Sequence, residues 1–255
     1  MQVSALTVLR RGAGAAIDAL LPPLCLGCHA VVSTPGTMCA ACWSRVGWLA
    51  PPLCACCGLP FEFDPGLGAP DDLRCAACLR EPPAFARARA VFRYDEASRN
   101  LILAFKHADR THAAPAFGQW LARAGGTLLD EADMVAPVPL HWLRLAWRRY
   151  NQAALIAHCA AAASGRRCVP DLLVRHRRTP SQGELGRSER RRNVRRAFAV
   201  QPRHAEALRG ARVLLVDDVF TTGATVEECA RTLLAAGAAA VDVLTLARVV
   251  RPVAS

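Results

Sequence analysis

The stretch that most constrains the fold is Val213-Leu214-Leu215-Val216-Asp217-Asp218-Val219-Phe220-Thr221-Thr222-Gly223-Ala224-Thr225. Four apolar residues in a row, with no polar alternation, read as a strand buried on both faces, the pattern of a parallel sheet. The strand stops at two carboxylates. A turn of hydroxyls and one glycine follows, and Thr225 opens an amphipathic run over residues 226–236 that ends at Gly237, as a helix should. The first amides of a helix are unpaired and carry partial positive charge, so such a turn makes a phosphate cradle. Thr221, Thr222, Gly223, Ala224 and Thr225 form that turn, and Gly223 lets the backbone come close. Asp217 and Asp218 do not favour a bare phosphate, but they can accept hydrogen bonds from a vicinal diol or help hold a divalent metal. Diol and phosphate together describe a ribose 5-phosphate. No lysine follows the glycine and GxGxxG is absent, which excludes the GxxxxGK[ST] loop and the dinucleotide-binding turn. Helix capping alone explains one hydroxyl, not two carboxylates and three threonines.

The N-terminal third carries four Cys-x-x-Cys pairs: Cys25/Cys28, Cys39/Cys42, Cys54/Cys57 and Cys75/Cys78. Each pair bends into a knuckle presenting two sulfurs to one ion, and two knuckles complete a four-sulfur zinc site. Eight thiols make two such sites. Intervening loops of 10 residues (29–38) and 17 residues (58–74) favour sequential pairing, with interleaved pairing left open. Residues 1–24 have no uninterrupted apolar core or cleavage site of a secretory signal, which argues against disulfides. Cys25-Leu26-Gly27-Cys28-His29 also has the spacing of haem attachment, a reading that leaves three pairs unexplained. The zinc would be structural, because a segment this short and loop-rich needs a metal to fold.

At 255 residues the chain has room for one sizeable core plus a small module, expected as residues 1–82 (an N-terminal helix over 3–21 and the cysteine module) and 83–255. A content of 53% hydrophobic and 6% aromatic residues suits an alanine- and valine-rich α/β protein. The net charge of +11 points to an anionic ligand or nucleic acid, although the cations are almost all arginine, a bias that GC-rich coding alone produces. No run approaches the ~18 apolar residues of a membrane-spanning helix. A cytoplasmic location is expected.

From residue 88 onward strands alternate with helices: a strand over 88–94, a helix over 96–107, a helix over 115–129, a strand over 133–139, a helix to 163, and a last strand over 240–246. This order implies a mostly parallel sheet with ligands at the strand carboxyl ends. Lys106, the single lysine, reads either as a compact donor to phosphate or as a chance survivor among arginines. The loop 140–149, with Arg144, Arg148 and Arg149, leads into Asn151-Gln152 and a helix N-terminus, which suits a diphosphate as well as it suits solvated arginines. In residues 187–196 six of ten are arginine, a self-repelling density expected of a basic lid over a polyphosphate. No aromatic residue interleaves them, which weakens a stacking mode for single strands.

Residues 213–225 resemble the phosphoribosyl diphosphate (PRPP) signature of type I phosphoribosyltransferases. The wider order of motifs resembles the ComF family: paired cysteine knuckles, Phe105-Lys106-His107-Ala108-Asp109, Pro137-Val138-Pro139-Leu140, Thr179-Pro180-Ser181-Gln182 and the arginine-rich run before Phe198. That resemblance implies an α/β fold of phosphoribosyltransferase type behind an N-terminal zinc ribbon. It implies that Asp217, Asp218, Arg148 and Arg149 are catalytic, that Lys106 and residues 217–225 bind PRPP with Mg2+, and that the arginine-rich stretch is a hood. The residue after Val219, often tyrosine in relatives, is Phe220 here. Two functions fit: an enzyme moving the phosphoribosyl group of PRPP to an unidentified nucleophile, or a PRPP-responsive module that binds single-stranded DNA or a DNA-uptake helicase.

Overall fold

The computed structural model describes residues 22–62, 72–107, 111–148, 150–177 and 187–250. The helix expected over residues 3–21 lies outside them. By packing, the chain divides into two compact units, residues 1–46 and 47–255. In the first, an antiparallel bridge between Leu24 and Val31 closes one knuckle, and helix α1 (Ala40–Arg45) carries the second half of the other.

The larger unit runs through α2 (Ala76–Arg80), β1 (Arg87–Arg93), α3 (Glu96–His107), α4 (Ala114–Ala124), α5 (Gly126–Glu131), β2 (Met134–Pro137), α6 (Trp142–Arg148), α7 (Gln152–Ala163), β3 (Leu173–Arg175), α8 (Arg187–Val194), β4 (Phe198–Val200), α9 (Ala205–Leu208), β5 (Arg212–Phe220), α10 (Ala224–Ala235) and β6 (Ala240–Arg248). Its sheet is parallel throughout, in the order β1-β6-β5-β2. The expected α/β class and parallel sheet are therefore present. β5 lies in the interior with Val213, Leu214, Leu215 and Val216 fully buried, which is what their unbroken apolarity requires.

Successive strand residues face opposite sides. Val213, Leu215, Val241 and Val243 share a core with Leu233 of α10, Val194 of α8 and the cysteines Cys54, Cys57, Cys75 and Cys78. Cys54, Cys57, Cys75, Cys78 and Phe85 thus pack with the sheet, although the sequence groups the four cysteines with a separate module. On the other face α4 packs against α7, and both meet the strands. There Trp48, Phe92, Trp120, Phe117 and Phe105 form a chain of edge-on and tilted ring contacts with centroids 5.2 to 6.0 Å apart.

Local signals set the element ends. Asp95 and Ser98 cap α3 reciprocally: Ser98 N–H donates to Asp95 Oδ1 and Asp95 N–H to Ser98 Oγ, both at 2.9 Å. At the end of α10, Gly237 N–H reaches the Leu234 carbonyl (3.0 Å) and Ala238 N–H the Leu233 carbonyl (3.1 Å), closing the helix with Gly237 at φ 103°. The single helix expected over 115–129 is two helices, α4 and α5, broken at Gly125, where a Cβ would lie 2.7 Å from the Leu244 methyls. The loop expected over 140–149 contains α6, and the segment containing the arginine-rich stretch starts and ends on an antiparallel pair, β3 with β4. Of the expected lid, residues 187–194 form α8, anchored by buried Val194.

At the amino end of the sheet Asp242, wholly buried, is held by Arg87 (2.9 Å) and Arg212 (3.1 Å) from the strands on either side. The crossing of α4 and α7 is closer than any side chain allows: a Cβ on Gly118 would stand 2.8 Å from the Cys159 carbonyl carbon and 2.9 Å from Ala160 N. Both neighbours are backbone and cannot rotate away. Gly118→Ala is expected to destabilise the unit by about 2 kcal/mol, read as a lower melting temperature in calorimetry.

Candidate functional site

β5 ends where the sheet meets solvent, and its neighbour β2 ends beside it, with Pro137 paired to Val216 and Val138 N–H bonded to the Val216 carbonyl at 2.9 Å. This register brings the loop after β2 next to Asp217. Asp218 is ion-paired with Lys106 Nζ at 2.7 Å, so the single lysine, at the carboxyl end of α3, does meet the acidic pair. Three consecutive side chains at the start of α7 brace that meeting. Tyr150 Oη donates to the Phe105 carbonyl (3.0 Å), Gln152 Nε2 to the Lys106 carbonyl (3.3 Å), and Asn151 Nδ2 to the Val138 carbonyl (3.1 Å). Asn151 also caps α7 through Ala153 N–H. The Asn-Gln pair, legible in sequence only as a helix start, is thus a brace between α3 and β2.

Asp217 is partly buried and accepts the Asp218 N–H at 2.9 Å. Burial first, and then the Asp218 carboxylate, push its carboxyl up to about 7, against the opposing pull of Lys106 and Arg175. Arg175, on β3, is a buried guanidinium over the Phe198 ring at 5.5 Å, and no motif in the sequence marks it.

Beyond Phe220 the chain turns through exposed Thr221, half-buried Thr222 and Gly223 into α10. Gly223 is the residue before the helix and adopts φ 79°, a left-handed conformation disfavoured for side chains with a Cβ, which would also press on Phe220 Cζ at 2.8 Å. Thr222 Oγ1 accepts the Ala224 N–H at 3.4 Å. Ala224 and Thr225 stand in the first turn, one residue earlier than the expected helix start. The turn is thus open to solvent with Asp217 and Asp218 at its root. Of the expected residues the structure gathers Asp217, Asp218, Lys106 and the turn 221–225. Arg149, the Arg148 side chain, Asp109 and residues 179–182 lie outside the described residues.

The eight paired cysteines assemble sequentially: Cys25, Cys28, Cys39 and Cys42 form one cluster and Cys54, Cys57, Cys75 and Cys78 another, all sulfurs within 4.8 Å in each. The Cys28–Cys39 and Cys57–Cys75 sulfurs stand 3.6 Å apart, about the edge of a tetrahedron with ~2.3 Å Zn–S bonds. Backbone amides point at the sulfurs, Cys39 N–H at Cys25 Sγ (3.2 Å) and Cys75 N–H at Cys54 Sγ (3.3 Å), as thiolate ligands require. Both donor sets fit Zn2+ with no open position, which makes them structural.

A Double zinc ribbon domain matches residues 16–81 and a Phosphoribosyl transferase domain residues 169–252. A parallel α/β sheet with an acidic strand end, a glycine-led helix start and cysteine tetrads is therefore a phosphoribosyltransferase-type domain joined to zinc ribbons. The chain is 34% identical over 202 residues to the DNA utilization protein YhgH of Salmonella typhimurium, covering 77% of this chain and 84% of that one. It is 29% identical over 217 residues to Competence protein F of Haemophilus influenzae, at 83% and 90% coverage. Against Competence protein ComFC of Bacillus subtilis it is 26% identical over 219 residues, at 83% and 84%. The chain belongs to the ComF family. No helix among the described residues is long and apolar enough to cross a membrane.

Two measurements follow. Cys25→Ser and Cys54→Ser should each lose one zinc equivalent by elemental analysis, and Cys54→Ser alone should lower the melting transition of the α/β unit, whose core its sulfur shares. For Asp217, the folded chain keeps a proton up to about pH 7 that the unfolded chain releases near 3.8, so stability falls as pH rises between these values. Asp217→Asn in the unliganded protein should raise the melting temperature more at pH 8 than at pH 5.

Proposed function

We propose that the turn between β5 and α10 binds PRPP and that the chain transfers its phosphoribosyl group to an acceptor. The observation that carries this reading is the meeting of Asp217, Asp218 and Lys106 at the root of a glycine-led helix start. The amides and hydroxyls of residues 221–225 would take the 5-phosphate. Asp217 and Asp218 would accept the ribose 2- and 3-hydroxyls. Lys106 then turns from Asp218 toward the diphosphate, and Arg148 and Arg149 would add further cations for it. Asp217 and Asp218 would also help hold Mg2+, which when bound would neutralise the leaving diphosphate. In the reaction the C1–O bond to diphosphate breaks and a bond from the acceptor to C1 forms, through an oxocarbenium-like state that the surrounding charges stabilise.

A PRPP-responsive module that binds single-stranded DNA or a helicase is the second reading, supported by the DNA utilization and competence names of the relatives and by the arginine-rich stretch. Calorimetric titration with PRPP and Mg2+ tests what both share. The Asp217→Asn/Asp218→Asn chain should bind at least about 100-fold more weakly, a loss of about 2.7 kcal/mol, while its fold persists; unaltered binding heat would overturn the assignment. Diphosphate release with a panel of bases and amines marks the enzyme. Binding without release, together with salt-sensitive single-strand binding, marks the module.

A further inference from the structure

Arg248, the last residue of β6, is buried. Its Nη1 donates to the Cys57 carbonyl at 2.5 Å and its Nη2 to Cys57 Sγ at 3.4 Å, both in the second cysteine tetrad. The same guanidinium lies over the Phe220 ring, 4.6 Å from its centroid. Phe220 is the last residue before the phosphate turn, packed edge-on against Phe85 (5.9 Å) and directly beneath Gly223. Its carbonyl accepts the Val249 N–H at 2.9 Å, so the backbone after Arg248 is tied to the same point. Cys57, Cys78, Arg248, Phe220, Thr222 and Gly223 line one cavity of about 230 Å³. An unbroken set of contacts therefore runs from a metal ligand to the turn.

From these contacts we infer that Arg248 is a positioning residue through which the second zinc tetrad sets the conformation of residues 221–225, so that metal occupancy there governs affinity for a phosphorylated ligand. The inference rests on the PRPP reading only for the identity of that ligand. A fork is needed for the task, because one planar group must bond a carbonyl and a sulfur while its face covers a ring. Lysine offers a single point charge and cannot do all three. With zinc bound, the Cys57 knuckle is fixed, the guanidinium is fixed by it, and the aromatic floor under Gly223 is held in place. Without the metal the knuckle loses its closure, and the floor goes with it. By reciprocity, a ligand that orders the turn must also tighten the tetrad.

The full-length protein is compared with Arg248→Met, which keeps the stem, and Arg248→Lys, which keeps the charge. Three quantities are read: zinc per chain, amide hydrogen exchange of residues 221–225 without ligand, and the dissociation constant for PRPP with Mg2+. Both variants should retain two zinc equivalents and unchanged exchange in α7. Exchange at 221–225 should accelerate in both, more in Arg248→Met, and PRPP binding should weaken about tenfold, within the usual range for coupled sites. In a Cys28→Ser background that confines cobalt to the second tetrad, PRPP should shift the cobalt–thiolate absorption of the parent but not of Arg248→Met. Exchange and affinity identical to the parent at full zinc content would overturn the inference. If the parent itself binds no PRPP, the function proposed above falls, while the exchange comparison still decides the coupling.

Discussion

A strand hydrogen-bonded on both edges and buried on both faces has only its ends free for chemistry, and this constraint shapes the molecule. Between β2 and β6, β5 offers nothing along residues 213–216 but apolar surface. Polar residues enter where the sheet runs out, and the two ends differ in what they do. At the amino end, Asp242 is saturated by two arginines and serves only to hold three strands together. At the carboxyl end, Asp217 and Asp218 crowd each other, and the ion pair with Lys106 relieves one of them. The amino-end carboxylate is fully paired, whereas at the carboxyl end Asp217 is held up toward neutrality by burial and by its neighbour.

The parts around that strand end are positioned by contacts from distant segments. α3 delivers Lys106 because Tyr150 and Gln152 hold its last carbonyls, and β2 delivers its loop because Asn151 holds Val138. The second cysteine tetrad is also part of this scaffold, since its sulfurs lie in the same core as Val213 and Leu233. A zinc site that the sequence assigns to a separate module is here one wall of the α/β unit.

Much of this was readable in the sequence wherever a residue's role is repeated by its neighbours. α3 over residues 96–107 and the handover from β5 to α10 follow from local pattern, and so does the sequential grouping of cysteines, whose spacing is a local property. What escaped depends on tertiary context. β3 and β4 have three residues each, too few for any period to appear. α6 reads as a loop in the sequence, bounded by Pro139 and carrying Arg144, Arg148 and Arg149, and in the fold its Trp142, Leu143 and Leu145 stay exposed. The break at Gly125 answers to Leu244, more than a hundred residues away. Arg248 and Arg175 look like any other arginine in an arginine-rich chain, and only the fold gives Arg248 the Phe220 ring and the Cys57 carbonyl, and Arg175 the Phe198 ring.

Arg175 and Phe198 stand opposite each other across the β3–β4 pair, so the long basic segment between them departs and returns at one place. Closing such an excursion costs little more as it lengthens, roughly 0.6 kcal/mol for each doubling. Changes in its length therefore carry little entropic cost for the pairing of β3 with β4, provided that Val194 of α8 keeps its place in the core. The pairing of Arg175 with Phe198 thus makes the excursion a part of the unit whose length the sheet constrains only weakly.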